Sequence, residues 1–277
     1  MQHSTCALLA GLLLFAQAVR AQEVQWGRSD PGELVTDRPD FTESAEVVAP
    51  GYAQLEMGFT GVRTTDHGVR WDTTALPLPL LRVGVARRFE LRAGGIGLLW
   101  QSVRSSATRQ RTSGTANFVV GMKVKLLEEG RIAPAVALIP SVSLPTGDDE
   151  HFSSGYDPTI GIAWAKALPK GFGSGGNVNF SSITDGTGRF NRRAYSLSIG
   201  HSLGVGGLNG YWEVYRISPV ERGRGGVSIF GTGVTRGLGR NAQVDFYVER
   251  SLAGPFPSWS IGAGFAIRGP LPNPHGR

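Results

Sequence analysis

From Tyr52 onward the chain alternates apolar and polar residues with a period of two. Ala53, Leu55, Met57 and Phe59 fall on one face of a predicted strand, and Gln54, Glu56, Gly58 and Thr60 fall on the other. Phe89, Leu91 and Ala93 oppose Glu90, Arg92 and Gly94. Between Ala116 and Leu126 an apolar set opposes Asn117, Gly121, Lys123 and Lys125, and a short turn at Leu127–Gly130 follows. The same apolar face resumes in Val136, Leu138, Val142 and Leu144, against the small residues Ala135, Ala137, Ser141 and Ser143. Further strands are predicted near Pro158–Leu168, Gly171–Asp185, Arg192–Leu203, Leu208–Pro219, Gly225–Arg236, Ala242–Ser251 and Ser258–Arg268. The count is about twelve. Pro77 and Pro79 blur the facing of Thr74–Val85, and Pro134 and Pro140 lack the N–H that a central strand needs, which calls for a bulge or a different register there.

An even number of alternating strands of roughly ten residues fits a transmembrane barrel. It also fits a soluble barrel or sandwich, because alternation defines two faces without saying which one is inside. The beginning of the chain bears on this choice. Ala7–Ala16 is a short apolar run, and Val19-Arg20-Ala21 offers small residues ahead of Gln22, so residues 1–21 read as a cleaved secretory signal peptide. The single cysteine, Cys6, would leave with it, which excludes disulfides and thiolate chemistry from the mature protein. Aromatic residues such as Tyr52, Trp71, Trp100, Trp164, Tyr195, Tyr211, Trp212 and Trp259 fall near predicted strand ends, where interfacial girdles would need them.

The stretch Leu34–Glu46, LVTDRPDFTESAE, interrupts this picture with Asp37, Arg38, Asp40, Glu43 and Glu46 around Pro39 and Phe41. Its TDRPDFTES resembles the opening of the outer-membrane β-barrel proteins named after the meta-pathway of phenol degradation. Pro134–Gly147 (PAVALIPSVSLPTG), Phe152–Gly161 (FSSGYDPTIG) and Ala194–Leu203 carry the resemblance onward in family order. The resemblance implies an all-β, transmembrane, antiparallel, up-and-down barrel and a porin-like transport role. The expected organisation is a signal peptide at 1–21, a periplasmic or lumenal segment at 22–50, a barrel at 51–268 and a disordered tail at 269–277.

A net charge of +6 over 277 residues is spread one or two residues at a time. That suits lipopolysaccharide phosphates or an anionic solute, and a nucleic-acid partner is not expected. The expected partners are membrane lipid and lipopolysaccharide, a small solute, and the outer-membrane assembly machinery. No catalytic, cofactor or metal residues are assigned. Ser198 and His201, three apart on one strand, would face opposite ways, and the acidic loop Gly147–His151 with Asp157 reads as solvated surface. Charged residues cannot sit in lipid, so the opening segment either stays periplasmic or folds into the barrel mouth. In the second case Asp37, Arg38, Asp40, Phe41 and Glu43 would form a gate, paired with the lumenal charges Glu56, Glu90, Arg92, Lys123, Lys125, Asp245 and Glu249. The function expected is passive uptake of a small hydrophobic or aromatic solute, and the alternative is a non-transporting structural or adhesive barrel.

Overall fold

The computed structural model describes residues 30–148 and 155–272; the expected signal peptide lies outside them. Among the described residues fifteen strands are formed: β1 (Tyr52–Asp66), β2 (Val69–Leu76), β3 (Leu80–Ala86), β4 (Phe89–Gly94), β5 (Leu98–Arg104), β6 (Arg109–Thr115), β7 (Val119–Leu127), β8 (Ala135–Ser143), β9 (Asp157–Ala167), β10 (Phe172–Asp185), β11 (Gly188–Ser202), β12 (Leu208–Ser218), β13 (Val227–Gly237), β14 (Ala242–Ala253) and β15 (Ser258–Pro270). All pairings are antiparallel, and β15 pairs back onto β1 with Tyr52 opposite Pro270. The ring so closed runs β1–β3–β4–β7 and then in sequence through β8 to β15, a twelve-strand barrel. Both the start of β1 and the end of β15 lie at one rim, the near rim.

The register settles which face is inside. The largest fully buried side chains are Arg82, Lys123, Gln54, Glu56, Glu90, Glu213 and Asn177. Their apolar strand neighbours face outward, with Leu91 at 47%, Leu197 at 43%, Val214 at 44% and Phe246 at 46% exposure. A soluble barrel would reverse this arrangement, and only lipid makes an unbroken apolar exterior favourable. The alternating strands of the sequence thus acquire a polar lumen and a lipid-facing coat.

β2, β5 and β6 are the upper parts of three barrel strands that break at one level. The residues between β2 and β3 are Pro77, Leu78 and Pro79, so the predicted strand Thr74–Val85 is split by its prolines, which cannot donate to a ladder. Beside this break the Gly95 amide donates to the Pro79 carbonyl (3.3 Å), and the Ala116 amide donates to the Gly97 carbonyl (2.8 Å). A Cβ on Gly97 would overlap the Pro77 carbonyl, so a residue without a side chain lets the two chains pass there. Above the break β1, β2, β5 and β6 continue as a ladder of their own toward the far rim. Pro140 acts in the same way. The β7–β8 ladder pairs Gly121 with Ser141 and Val124 with Leu138 without a change of register, and skips the pairs between, so the proline opens a gap instead of forcing a bulge.

Not every aromatic joins a girdle. Trp100, Tyr195, Trp212 and Trp259 are exposed, whereas Tyr52 and Tyr211 are each 8% exposed and occupy lumenal positions. Trp71 turns into the far mouth.

If the outer coat faces lipid, Phe246→Arg or Ile162→Arg should cost about 2–4 kcal/mol of barrel stability. Gln243→Ala, on the lumenal face of the same strand as Phe246, should cost far less. Urea titrations followed by gel mobility with and without heating give the ranking, and the reverse order would mean that the apolar face is inside.

Candidate functional site

Residues 30–51 form neither helix nor strand. Free backbone of this kind at membrane depth needs partners for its N–H and C=O groups, and here the barrel wall supplies them. The Asp37 amide donates to the Glu56 carboxylate (3.0 and 3.2 Å). The Phe41 and Thr42 amides donate to the two oxygens of Glu213 (2.8 and 2.7 Å), and the Val48 amide donates to Glu90 (2.8 Å). Carbonyls are matched by cations. Arg82 donates to the carbonyls of Val35 and Glu46, and Lys123 donates to that of Ser44 (2.8 Å). At the near rim Arg268 donates to the carbonyls of Pro31, Gly32 and Glu33. The segment therefore enters from the near rim, turns at Phe41–Thr42 beside β11 and β12, and returns to β1.

Asp37 is the centre of the charge network. One oxygen accepts from Arg92 (2.8 Å) and lies 3.4 Å from Arg82. Lys123 reaches both oxygens (3.0 and 2.9 Å), and Ser44 donates to the same carboxylate from its amide and hydroxyl. Burial alone would raise the Asp37 carboxyl, but the charges of Arg82, Lys123 and Arg92 outweigh it and hold the group well below the usual carboxylate range. Arg82 is gripped in turn by Glu90 (2.9 Å) and Glu56 (3.0 Å). Glu43 pairs with Arg92, and Glu46 pairs with Lys125 (2.7 Å), which also binds Glu128.

Arg38 lies flat against β1 and β15, with its guanidinium on Asp245 (3.2 Å). A Cβ on Gly58 or on Gly264 would overlap that guanidinium, so these two glycines form its slot. Phe41 stacks on Tyr215, with ring centroids 4.4 Å apart and planes 7° apart. Thr42 donates its hydroxyl to Glu213, and the Ser196 hydroxyl lies 2.7 Å from the same Thr42 oxygen. Asp40 is the poorly matched member. Burial, and after it the neighbouring Glu213 carboxylate, push its carboxyl well above the ordinary range.

The structure thus brings Asp37, Arg38, Asp40, Phe41 and Glu43 together with Glu56, Glu90, Arg92, Lys123, Lys125 and Asp245. Glu249 stands apart from the segment, accepting instead from Tyr215 (3.2 Å) and Ser260 (2.5 Å). Sequence reasoning missed Arg82, Gln54, Glu213, Tyr215 and Arg268. Arg82 was hidden in the strand blurred by prolines, yet it is the one charge in LLRVGVA. Glu213 stands likewise alone in YWEVY. Ser198 is buried on the lumenal face of β11, while His201 tilts against Phe172 (4.1 Å), so the two form no dyad. Asp148 is occupied by Thr115, and Asp157 by the Thr184 amide.

Open space lies on both sides of the segment. A cavity of about 810 Å³ at the near rim is lined by Glu33, Leu34, Arg240 and Gln243, and one of about 500 Å³ fills the far mouth around Trp71, Arg224 and Phe256. Between them a cavity of about 260 Å³ sits against the wall break. It is lined by Pro79, Leu80, Val119 and Ile139, with Glu43, Arg92 and Asn179 as polar members.

A charged lumen, a lipid-facing coat and a segment folded inward define the class: an outer-membrane β-barrel whose lumen is occupied by its own N-terminal segment. The chain belongs to the family described as "Putative MetA-pathway of phenol degradation", whose model matches residues 36–269. In fold it is similar to the COG4313 outer membrane channel from Pseudomonas putida F1, with a TM-score of 0.62 at 12% identity over 87% of this chain and 100% of that one. It is also similar to the β domain of the Bordetella autotransporter BrkA, with a TM-score of 0.52 at 14% identity over 78% of this chain and 99% of that one. No curated protein matches the sequence.

Two substitutions in the segment should act in opposite directions. Asp37→Ala leaves Arg82, Arg92 and Lys123 buried without their shared anion, and the segment should lose about 3–5 kcal/mol of seating. Asp40→Asn removes a charge facing Glu213 and should tighten seating at neutral pH. That gain should fade only as the pH falls into the ordinary carboxylate range, because a carboxyl whose pKa is raised on seating penalises seating at every pH above its unseated pKa. Hydrogen exchange of the Phe41, Thr42 and Val48 amides reads both effects; faster exchange in Asp40→Asn would contradict this account.

Proposed function

We propose that the protein is an outer-membrane channel that passes a small hydrophobic or aromatic solute by passive diffusion, with Leu34–Glu46 as its gate. One observation carries the reading: the lumen is occupied by a separate segment, and the wall itself would leave it open. The wall presents Gly58, Gly84, Gly121, Gly161, Ala135 and Ala137 inward. A Cβ on Gly84 would overlap the carbonyls of Val48 and Ala49, so the wall is cut back where the segment passes. A barrel built only for structure would fill its interior with wall side chains, as smaller barrels do.

The solute class is argued from the middle cavity. Its volume of about 260 Å³ exceeds the roughly 150 Å³ that suffices for benzene. Its lining is apolar on the side of the wall break and polar at Arg92, Ser141, Thr159 and Asn179. A single ring carrying one or two polar substituents matches that lining, since such sites combine apolar walls with a few placed polar groups.

The gate is tested in planar bilayers. Deleting Val35–Ser44 should raise single-channel conductance several-fold. Arg38→Ala should raise it less, because only Asp245 loses its partner while Asp37 keeps its three cations. High salt should change the closed state little, since the ion pairs of Asp37 are buried. A deletion variant that folds and conducts like the parent would refute the gate.

A further inference from the structure

Above the wall break the outward face of β1, β2, β5 and β6 changes chemistry row by row. Cross-strand partners share a face, so the register fixes each row. Leu76, Leu98 and Thr115 form the lowest, and Thr74, Trp100 and Ser113 the next. Above these come Trp259, Arg63, Asp72, Ser102 and Arg111, and then Thr65, Arg70, Arg104 and Arg109. Apolar, aromatic and cationic levels follow one another outward, the order that a lipid tail, an interface and a headgroup present.

The cationic level is unbalanced. Arg63 and Arg70 share Asp72 (2.5 and 3.0 Å), and Arg63 also lies 5.3 Å from the Trp259 ring. Arg104, Arg109 and Arg111 form no ion pair among the described residues. Arg70, Arg104 and Arg109 stand directly opposite one another on adjacent strands, an arrangement that repels unless an anion lies between them. The Nε of Arg104 and the Oγ of Ser102 are buried and have no partner in the protein. Buried donors without partners are rare and point to a missing acceptor. Phosphate oxygens suit a set of guanidiniums, which bind them in forked pairs.

We propose that this outward face is a binding site for the phosphate groups of lipopolysaccharide in the outer leaflet. The placement of the rows selects lipid over a free anion, because a soluble phosphate would have no need of the Trp100 and Leu98 levels beneath it. The leaflet follows from the topology: the start of β1 and the end of β15 lie at the near rim, and the longest breaks between strands, after β8 and after β12, open on the far side, which is the outer side of such barrels.

The test uses the protein purified from outer membranes and stripped of lipid. It is titrated with bisphosphorylated lipid A, lipid A without its phosphates, phosphatidylglycerol and inorganic phosphate, and binding is read by native mass spectrometry. Bisphosphorylated lipid A should bind well above the other three. Arg104→Gln and Arg111→Gln should each weaken it roughly fivefold, with a larger loss in the double variant. Arg236→Gln, outward at the near rim, should leave it unchanged. Equal binding by the double variant, or by lipid A without phosphates, would overturn the site. Equal binding of phosphatidylglycerol or inorganic phosphate would reduce it to a general anion patch and overturn it as well. Should the double variant fail to fold, the lipid comparison on the parent protein still decides.

Discussion

Backbone at membrane depth must satisfy its own polar groups, and a segment without helix or strand cannot do so internally. Residues 30–51 meet that constraint by borrowing from the wall. Glu56, Glu90 and Glu213 accept from its amides, while Arg82, Lys123 and Arg268 donate to its carbonyls. Four of these wall groups, Glu56, Glu90, Arg82 and Lys123, are also ion-paired, so each of them has two tasks. Glu56 accepts from the Asp37 amide and from Arg82; Lys123 serves the Asp37 carboxylate and the Ser44 carbonyl. The lumenal charges are a fitted lining for one particular stretch of chain, with Gly58, Gly84 and Gly264 cut back where that chain comes closest.

This double use explains why the charges can be buried at all. An isolated ion in a low-dielectric interior is costly, and even a pair breaks even only when its remaining hydrogen-bonding capacity is filled. Around Asp37 three cations and Ser44 fill it. The arrangement is correspondingly intolerant: withdrawal of the segment would leave Arg82, Arg92 and Lys123 side by side on β3, β4 and β7 without Asp37 between them, so any opening must bring water or an anion in as the segment leaves. Asp40 pulls the other way, since its carboxyl meets Glu213 instead of a cation. Asp40 thus lacks the matching cations that Asp37 has, and the tip is held instead by Glu213 on its amides and by the Phe41–Tyr215 stack.

The fold was legible in the sequence because a barrel strand reports both faces at every second residue. The opposition of Lys123 and Lys125 to Val120, Met122 and Val124 needed no tertiary information. The direction of the faces was not legible from alternation, and the structure decides it by burying Glu56 and Glu90 while exposing Leu91 and Phe246. Within the lumen the charges of DRPDFTE were visible, but their partners were not, because pairing across the barrel depends on register between strands far apart in sequence. Arg38 and Asp245 are 207 residues apart, and Thr42 and Glu213 are 171 apart. Arg38 stood out as the segment's only cation, but Asp37, inconspicuous in sequence, holds three partners. The prolines misled in a specific way: at 77, 79 and 140 they mark places where the ladder is opened, a fact that a strand-by-strand reading treats as noise.

That opening and the lumenal segment meet at one pair of side chains. Glu43 and Arg92 both line the cavity beside Pro79 and Gly95, and their ion pair fastens the segment just past its turn. Arg92 also holds Asp37, so it joins the cavity wall to the centre of the charge network. A molecule entering the cavity would meet the Glu43–Arg92 pair before any other part of the network, and a neutral one would still desolvate it. The wall break therefore places whatever occupies the cavity within one side chain of the carboxylate on which the seating of the segment depends.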